Sequence, residues 1–392
     1  MSHAQDEAGL AEMSALLSEA VNEEASDLHL LSGQVPRLRI HGQLCCQGTE
    51  LEPQRLASML RSVCPVASVA MIAPNVQDAA RRLGSDLRHD LDFSHEMDVG
   101  GRAHRYRFNV FYAHGRLGAC IRLIPANVPS TEWAGLPGRV VDRILQCRNG
   151  LILVTGVAGS GKSTTLAIVL EALVTTRGCR VITIEEPIEY VHAFGDNALI
   201  TQREVGVDVP SFAAGLKYGL RQDPDVIMVG EIRDRETAQM ALTAAETGHL
   251  VLSTLHTRDA KGAISRFTDL FPRERTDEIC AQLAINLRAV LSQHLVSSIQ
   301  PGAKRVLALE AMFQNLPVTS AIRSNNLVAV GDAILTGKTD GMITLDESLA
   351  EHFKNRRIAV HTALEHANDQ NRMQATITRH AESCAVAQPA LR

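Results

Sequence analysis

The residues from Gly156 to Ser163 have the types and spacing of a loop that binds phosphate. They read GVAGSGKS and match the pattern G-x-x-x-x-G-K-[ST]. Glycines in such a loop let backbone N–H groups turn toward phosphate oxygens, and the helix that follows adds donors at its N-terminus. Lys162 is expected to reach the β- and γ-phosphates, and the Ser163 hydroxyl to bind Mg²⁺. The expected site for ATP and Mg²⁺ consists of Gly156, Gly159, Ser160, Gly161, Lys162, Ser163 and Thr164.

Carboxylates follow two apolar runs further along the chain. Glu185 comes directly after VITI, and Glu231 follows shortly after VIMV. The carboxyl ends of parallel strands share one edge of a sheet, and ligands bind at that edge. An enzyme that hydrolyses a nucleotide needs groups there to complete the metal shell and to orient water. We expect Glu185 and Glu231 to serve the chemistry, and Glu189 and Asp234 to be surface carboxylates.

Two histidines bracket the apolar run LVLSTL. His249 precedes the run and His256 follows it. We expect both histidines to lie at the sheet edge that carries the glycine-rich loop. A histidine at a strand end can be purely structural or can take part in proton or phosphate chemistry. The residues around His256 leave both roles open.

Arginines are concentrated in one segment of the first third of the chain. Over residues 102–125 aromatic and apolar residues alternate with polar ones, and Gly115 stands at a turn position. This period of two predicts a β-hairpin with one buried face. The arginines of the segment can form a polar sheet face, or they can reach the γ-phosphate of a neighbouring subunit as arginine fingers. They include Arg105, Arg107, Arg116 and Arg122.

The elements that position these residues can be read from the apolar pattern. Four short runs (LILVT, VITI, VIMV and LVLSTL) predict strands buried on both faces, with helical stretches between them. After Ser163, apolar residues recur at helical spacing. Strands that alternate with helices predict a mostly parallel sheet covered by helices. From Phe271 onward the pattern predicts helix, with a stripe of Leu283, Leu287, Val290 and Leu291.

The chain divides by texture into several regions. Three prolines and two glycines between Pro125 and Gly138 indicate a linker. We place an N-terminal domain at 1–125, the linker at 126–138 and the α/β domain at 139–300. A helical C-terminal region is expected over 301–360, and residues 361–392 predict a loose tail of unknown role.

Composition excludes several classes of protein. The 392 residues are 45% hydrophobic and 21% charged, which is typical of a globular protein of two or three domains. No run is long enough for a membrane-spanning helix, and the first twenty residues have no basic or apolar export signal. The eight cysteines have no C-x-x-C spacing, so reduced thiols are expected rather than a cysteine metal site. A net charge of −5 and only 4% aromatic residues argue against nucleic-acid binding.

Four blocks of the sequence resemble one known family. They read LILVTGVAGSGKSTTLA, ITIEEPIEYVH, LRQDPDVIMVGEIRD and TAAETGHLVLSTLHT. In order and spacing they are similar to the secretion and pilus motor ATPases, over about residues 26–346. Within that family the retraction-type branch of the type IV pilus ATPases fits best. Assembly and type II secretion members usually have a tetracysteine zinc motif and an extra N-terminal domain, whereas this sequence has no C-x-x-C spacing and no room for that domain.

The resemblance implies a fold, an assembly and a role for each candidate residue. It implies an α/β protein with a PAS-like N-terminal domain, a RecA-like P-loop ATPase core and a helical C-terminal part, assembled as a homo-hexamer. By resemblance Glu185 is the water-activating acid and Glu231 the acid of an atypical Walker B motif. His249 and His256 match the family's His box, in which the second histidine senses the γ-phosphate. The positions that supply arginine fingers fall on Arg107, Arg116 and Arg122.

The implied activity is ATP-driven work on a type IV pilus, with retraction and twitching motility as the preferred outcome. The implied enzyme is cytoplasmic and peripheral to the inner membrane, where it acts on a platform protein, with a paralogous motor ATPase as a possible companion. Three departures from the family pattern are Glu186 in place of Asp, Val157-Ala158 in the loop, and Ala321-Ile322-Arg323-Ser324-Asn325 in place of AIRNL. The last bears on the direction of work and leaves a secretion or conjugative thin-pilus ATPase open. A RecA-like nucleic-acid motor and a small-molecule kinase are alternatives of other classes.

Overall fold

The computed structural model describes residues 2–40, 43–83, 90–124, 127–192, 197–302 and 305–386. The first residue of the predicted linker, 126, and the end of the predicted tail, 387–392, lie outside this range. The chain divides into two compact units. Unit 1 consists of Met1–Asn127 and Pro187–Val191, and unit 2 of Val128–Glu186 and His192–Arg392.

Unit 1 is built on an antiparallel sheet. In the described ranges its strands are β1 (Ala25–Leu31), β2 (Arg37–Ile40), β3 (Gln43–Cys46), β4 (Asp90–Val99), β5 (Arg102–Ala113) and β6 (Arg116–Ile124), in the order β3-β2-β1-β6-β5-β4. Its helices are α1 (Ser2–Asn22), α2 (Pro53–Val63) and α3 (Val76–Leu83). The predicted hairpin is confirmed, because β5 and β6 pair across a turn that contains Gly115.

One face of the unit 1 sheet is apolar and the other carries the arginines. Tyr106, Phe108 and Val110 alternate along β5 and are almost completely buried in one core with Leu17 of α1 and Leu60 of α2. The residues between them project to the opposite face because successive side chains of a strand alternate. This antiparallel sheet with helices packed on one face is the PAS-like domain of the prediction.

Unit 2 is built on a mostly parallel sheet. Its described strands are β7 (Gly150–Thr155), β8 (Arg180–Glu185), β9 (Leu199–Glu204), β10 (Val226–Val229), β11 (Leu250–Leu255), β12 (Leu287–Ser297) and β13 (Arg305–Phe313), in the order β13-β12-β7-β11-β10-β8-β9. All pairs are parallel except β12 with β13. The four strands predicted from the apolar runs are present and buried at nearly every position. The α/β prediction is therefore confirmed.

Helices cover this sheet and extend beyond it. In the described part of unit 2 they are α4 (Thr131–Ala134), α5 (Gly138–Leu145), α6 (Lys162–Thr176), α7 (Phe212–Gly219), α8 (Arg235–Glu246), α9 (Ala260–Thr268), α10 (Thr276–Asn286), α11 (Leu316–Arg323), α12 (Leu327–Thr336), α13 (Leu345–Lys354), α14 (Val360–His366) and α15 (Gln370–Val386). Helix α6 begins directly after the glycine-rich loop, as predicted. No helix in the described ranges is long and apolar enough to span a membrane.

The prediction of continuous helix after Phe271 is wrong in two places. Residues 287–297 and 305–313 form the antiparallel pair β12–β13 at one side of the sheet. Three residues of the predicted helical stripe, Leu287, Val290 and Leu291, lie on β12. Strand β12 is buried on both faces, so apolar residues occupy nearly every position and include a helical spacing by chance.

The prediction of a loose tail after residue 360 is also wrong for its described part. Residues 360–366 and 370–386 form helices α14 and α15. Met373 and Ile377, four residues apart on α15, are buried in a small separate core with Leu349 of α13. Over 370–380, the part of this mostly polar helix whose burial is described, two apolar residues are buried and give a weak periodic pattern, so the sequence did not reveal the helix.

Candidate functional site

The loop between β7 and α6 adopts backbone conformations that favour glycine. Gly156, Gly159 and Gly161 have φ values of 149°, 75° and 87°. Side chains with a Cβ rarely adopt these angles, and the inward turn of the backbone directs N–H groups into the loop. We refer to residues 156–163 as the P-loop. Its geometry is that of a phosphate cradle at a helix N-terminus.

Close packing fixes the first glycine of the P-loop. A Cβ on Gly156 would lie 2.4 Å from the Ser160 Oγ and 2.6 Å from the backbone carbonyl oxygen of Gln293. Ser160 is 2% exposed, and its Oγ has no hydrogen-bond partner among the described residues. A buried hydroxyl without a partner inside a glycine cradle fits a loop that closes on an anion.

Lys162 lies across the P-loop. Its Nζ donates to the carbonyl oxygens of Gly156, at 3.0 Å, and Val157, at 3.2 Å. Ser163 and Thr164 follow in the first turn of α6, where backbone N–H groups and the helix dipole favour negative charge. The loop therefore brings one cation, Lys162, together with a helix N-terminus, as binding of a nucleotide phosphate requires.

Side chains of strand β12 form hydrogen bonds with residues on either side of the P-loop. The Thr155 Oγ1 donates to the Ser292 Oγ at 2.9 Å, and both residues are fully buried. The Gln293 Nε2 donates to Thr165 Oγ1 on α6 at 2.7 Å. Sequence reasoning missed these supports because it assigned this segment to a helix.

The strand order sets the positions of the other candidates along the carboxyl edge of the sheet. The P-loop follows β7, His256 follows its neighbour β11, Glu231 follows β10, and Glu185 ends β8. At about 4.8 Å per strand, Glu185 lies three strand spacings, or about 14 Å, from the end of β7. A nucleotide held by the P-loop has to extend along this edge to reach Glu185.

Glu231 is held between two cationic or polar side chains. Its Oε2 lies 3.2 Å from the Nε2 of His256, and its Oε1 forms an ion pair with Arg233. Arg233 also contacts the Glu186 Oε2 at 3.3 Å. The carboxylate is only 12% exposed, so Arg233 and His256 supply much of its surroundings. Sequence reasoning did not select Arg233, although its place two residues after Glu231 was the available signal.

Glu185 is buried and hydrogen-bonded. It is 7% exposed, and its Oε1 accepts from Thr183 Oγ1 at 2.6 Å and from Gln202 Nε2 at 3.1 Å. Thr183 precedes Glu185 by two residues on β8, and Gln202 is the register partner of Thr183 on the neighbouring strand β9. These two hydrogen bonds restrict the rotation of the carboxylate.

The prediction that His249 shares the P-loop edge is wrong. His249 lies at the amino end of β11, where its backbone carbonyl accepts from the N–H of Gly150, the first residue of β7. Its Nδ1 donates to the Ala244 carbonyl oxygen at 3.0 Å and lies 3.1 Å from Thr247 Oγ1. Because β7 and β11 are parallel, their amino ends lie opposite the P-loop. Within one chain His249 closes the turn between α8 and β11.

The three arginines expected as fingers all belong to the hairpin of unit 1. Arg107 and Arg122 are cross-strand partners, whereas Arg116 begins β6 at the other end of the hairpin. The Arg122 Nε donates to Asp27 Oδ1 at 2.9 Å, and the Arg107 Nη2 lies 3.9 Å from Asp92. Asp27 is buried, so Arg122 is the most firmly held of the three.

A parallel sheet with a P-loop at the start of a helix, and acids at the same edge, defines a RecA-like P-loop ATPase. The chain belongs to the type II/IV secretion system protein family, whose model matches residues 3–390. It is 40% identical over 334 residues to the type IV pilus retraction ATPase PilT of Pseudomonas aeruginosa, covering 85% of this chain and 92% of PilT. It is 32% identical over 379 residues to the type IV pilus ATPase PilU of the same organism, covering 95% of this chain and 93% of PilU.

A solved structure agrees with these relationships. The crystal structure of the pilus retraction motor PilT with bound ADP superposes with a TM-score of 0.80 at 36% identity. The match covers 92% of this chain and 98% of that one. The chain is thus a P-loop ATPase of the secretion and pilus motor family, as the four sequence blocks indicated.

Proposed function

We propose that this chain converts ATP hydrolysis into mechanical work on a type IV pilus machine, and that this work is pilus retraction. The observation that carries the proposal is the similarity to PilT, a retraction ATPase, over 92% of the chain in structure. The P-loop and Glu231, on the same sheet edge, supply the chemistry that such work requires.

Each group at that edge takes one role in the proposed hydrolysis. Lys162 binds the β- and γ-phosphates. The Ser163 hydroxyl would hold Mg²⁺, which would supply positive charge against the negative charge that develops on the phosphates. Glu231 supports the metal shell or the attacking water. Glu185 orients that water, and His256 contacts the γ-phosphate. The Ser160 hydroxyl, which has no partner within the described ranges, and the helix N-terminus behind it support the placement of the phosphates at the P-loop.

We propose that the chain assembles as a homo-hexamer. This ring acts on an inner-membrane platform protein from the cytoplasmic side. In this ring one or more of Arg107, Arg116 and Arg122 reach the nucleotide of a neighbouring subunit, and these cations lie on a separate unit from the P-loop. A paralogous motor ATPase is a further expected companion.

Hexamers that contain two different variants test whether the arginines act on the nucleotide of a neighbouring subunit. Subunits with Lys162→Ala cannot bind nucleotide productively, and subunits with Arg122→Ala lack a finger. If fingers act in trans, mixing the two inactive variants restores part of the ATPase rate, because some interfaces join an intact P-loop to an intact arginine. Mixing Lys162→Ala with Glu231→Gln is the control, since both lesions lie on the same unit and no intact interface forms. An Arg122→Ala enzyme with full activity removes this arginine from the site, and Arg107→Ala and Arg116→Ala are tested in the same way.

The cellular experiment measures sheared surface pilin in cells that carry Lys162→Ala. If the motor retracts pili, these cells accumulate surface pili and lose twitching motility. Lys217→Ala is the matched control, because Lys217 is an exposed lysine on α7 whose Nζ lies 5.9 Å from the centre of the Tyr218 ring. Bare cells would assign the motor to assembly instead.

A secretion or conjugative thin-pilus ATPase is the second candidate. The observation that favours it is the segment at the end of α11, where Ser324-Asn325 replaces the second half of the retraction motif. Normal surface pili in Lys162→Ala cells, with a defect in protein export or DNA transfer, would select this candidate. A nucleic-acid motor would instead show two properties: DNA or RNA would strongly stimulate its ATPase rate, and salt would weaken its binding to the nucleic acid.

A further inference from the structure

Gln202 on β9 contacts the carboxylate of Glu185, which orients the attacking water in the proposed mechanism. Its Nε2 lies 3.1 Å from the Glu185 Oε1, the same oxygen that accepts from Thr183. Gln202 and Thr183 are register partners on paired strands, and Glu185 follows Thr183 by two residues. All three side chains therefore project to the same face of the sheet.

The orientation of the Gln202 amide is determined by a backbone group. The N–H of His192 donates to the Gln202 Oε1 at 3.0 Å. A backbone N–H can only donate, so the amide oxygen faces His192 and the NH₂ group faces Glu185. The amide cannot flip without losing both hydrogen bonds.

His192 is itself anchored to the helix that leaves the P-loop. Its side chain is 1% exposed, and its Nδ1 donates to the Glu171 Oε2 on α6 at 3.1 Å. Burial lowers the pKa of His192, against the opposing effect of the Glu171 carboxylate. Because a carboxylate oxygen accepts, the Nδ1 of His192 carries the proton of this contact. A continuous set of contacts thus joins α6 to the carboxylate through Glu171, His192 and Gln202.

We infer that Gln202 is a positioning residue for catalysis, which holds the Glu185 carboxylate at a fixed distance from α6 and so from the P-loop. The inference rests on the proposed role of Glu185 in hydrolysis. A neutral amide suits this task because it restrains the carboxylate without neutralising its charge, which a lysine or arginine would do. Misplacement of a reacting group by about 1 Å can cost about 100-fold in rate.

The first test is Gln202→Met, which keeps the length of the side chain and removes both hydrogen bonds. We expect kcat for ATP hydrolysis to fall about 10- to 100-fold, while the KM for ATP and the Kd for ADP change less than about twofold. Gln202→Glu is the second variant. It keeps an acceptor for the His192 N–H and so protects the fold, but it places a second carboxyl group against Glu185 and should also lose kcat. Gln374→Met, at an exposed position of α15, is the control and should match the wild type.

A double-mutant cycle separates positioning from a general structural role. In Glu185→Ala there is no carboxylate to hold, so adding Gln202→Met should cause no further loss of kcat. If Gln202→Met instead caused a general structural defect, the fold-losses in kcat of the two single variants would multiply in the double variant. Single-turnover hydrolysis of radiolabelled ATP follows such slow variants over hours. Multiplied losses in the double variant, or a normal kcat in Gln202→Met, would overturn the inference. Near-normal hydrolysis by Glu185→Ala alone would instead overturn the proposed role of Glu185.

Discussion

The Oε2 of Glu231 lies 3.2 Å from the Nε2 of His256, and this contact joins the carboxyl ends of the neighbouring strands β10 and β11. His256 is 56% exposed, whereas Glu231 is 12% exposed, so the histidine covers an acid that is otherwise enclosed. A histidine in this position can exchange its contact with Glu231 for one with a phosphate on the neighbouring P-loop. In the proposed mechanism this exchange would let the bound nucleotide alter the environment of the acid.

Replacement of Glu231 by glutamine should separate binding from hydrolysis. The amide keeps the size of the side chain but cannot take up a proton or carry the charge that a metal shell requires. We expect ATP affinity close to wild type and a kcat lower by about 100-fold or more. Fluorescent-nucleotide binding and phosphate release measure the two quantities, with the exposed Glu236→Gln on α8 as control. Near-normal turnover would remove Glu231 from the mechanism.

Arg233 should matter for rate far more than for stability. It links Glu231 to Glu186, and its side chain is 62% exposed, so its ion pairs contribute at most about 1 kcal/mol to folding. Without this contact, His256 is the side chain that still restrains Glu231 among the described residues. We expect Arg233→Gln to lower kcat by about tenfold with an unchanged melting temperature. The neighbouring exposed Arg235→Gln is the control, and a variant of Arg233 with wild-type kcat would contradict the expectation.

The parts of the site that could be predicted from the sequence are local in the chain. The P-loop is one continuous segment in which glycine spacing, strand and helix agree. Glu185 and Glu231 stand at the ends of short apolar runs, which needs only the rule that ligands bind at the carboxyl ends of strands. The same rule applied to His249 would have excluded it, because that residue precedes its strand.

The parts that could not be predicted depend on pairing between distant segments. Gln202 meets Glu185 only because β8 and β9 pair in one register, and no feature of the sequence around Gln202 indicates this. Strand β12 was missed because burial on both faces removes the alternation that distinguishes a strand from a helix. Its contribution to the floor of the P-loop, through Ser292 and Gln293, was missed with it.

Gly156→Ala should close the P-loop to nucleotide. The new Cβ would meet the Ser160 Oγ at 2.4 Å and the Gln293 carbonyl oxygen at 2.6 Å, at a φ of 149°. We expect a loss of about 1–3 kcal/mol in the free energy of unfolding and at least about a tenfold loss of ADP affinity. Calorimetry and ADP titration measure the two effects.

The control for this variant is Gly206→Ala. Gly206 also has a positive φ, of 86°, but an added Cβ would contact nothing within 4 Å. This change should cost only backbone strain, about 1–2 kcal/mol, and leave ADP affinity unchanged. Equal ADP affinity in Gly156→Ala and Gly206→Ala would show that close packing at Gly156 is irrelevant to the nucleotide.

His352 on α13 should make the stability of unit 2 sensitive to acid. Its Nε2 donates to the Leu307 carbonyl oxygen at 2.8 Å, and its buried Nδ1 has no partner within the described part of the chain. Burial lowers the pKa of His352 below its ordinary value of 6.5, and Arg357 lowers it further, against the opposing effects of the Leu307 bond and Glu351. Protonation would put a second N–H into a place that offers it no acceptor.

The sign of the resulting pH dependence follows from that lowered pKa. Well above pH 6.5 the ring is neutral in both the folded and the unfolded chain, so the full stability is present. As the pH falls below this value the unfolded chain binds the proton first, and stability is lost until the folded pKa is passed. We expect the melting temperature to fall from about pH 7.5 to about pH 5.5, and to fall less in His352→Gln, whose amide can still donate to Leu307. The buried His192, whose pKa is also lowered, leaves a remaining slope in that variant. An identical slope in the wild type and in His352→Gln would show that His352 does not contribute.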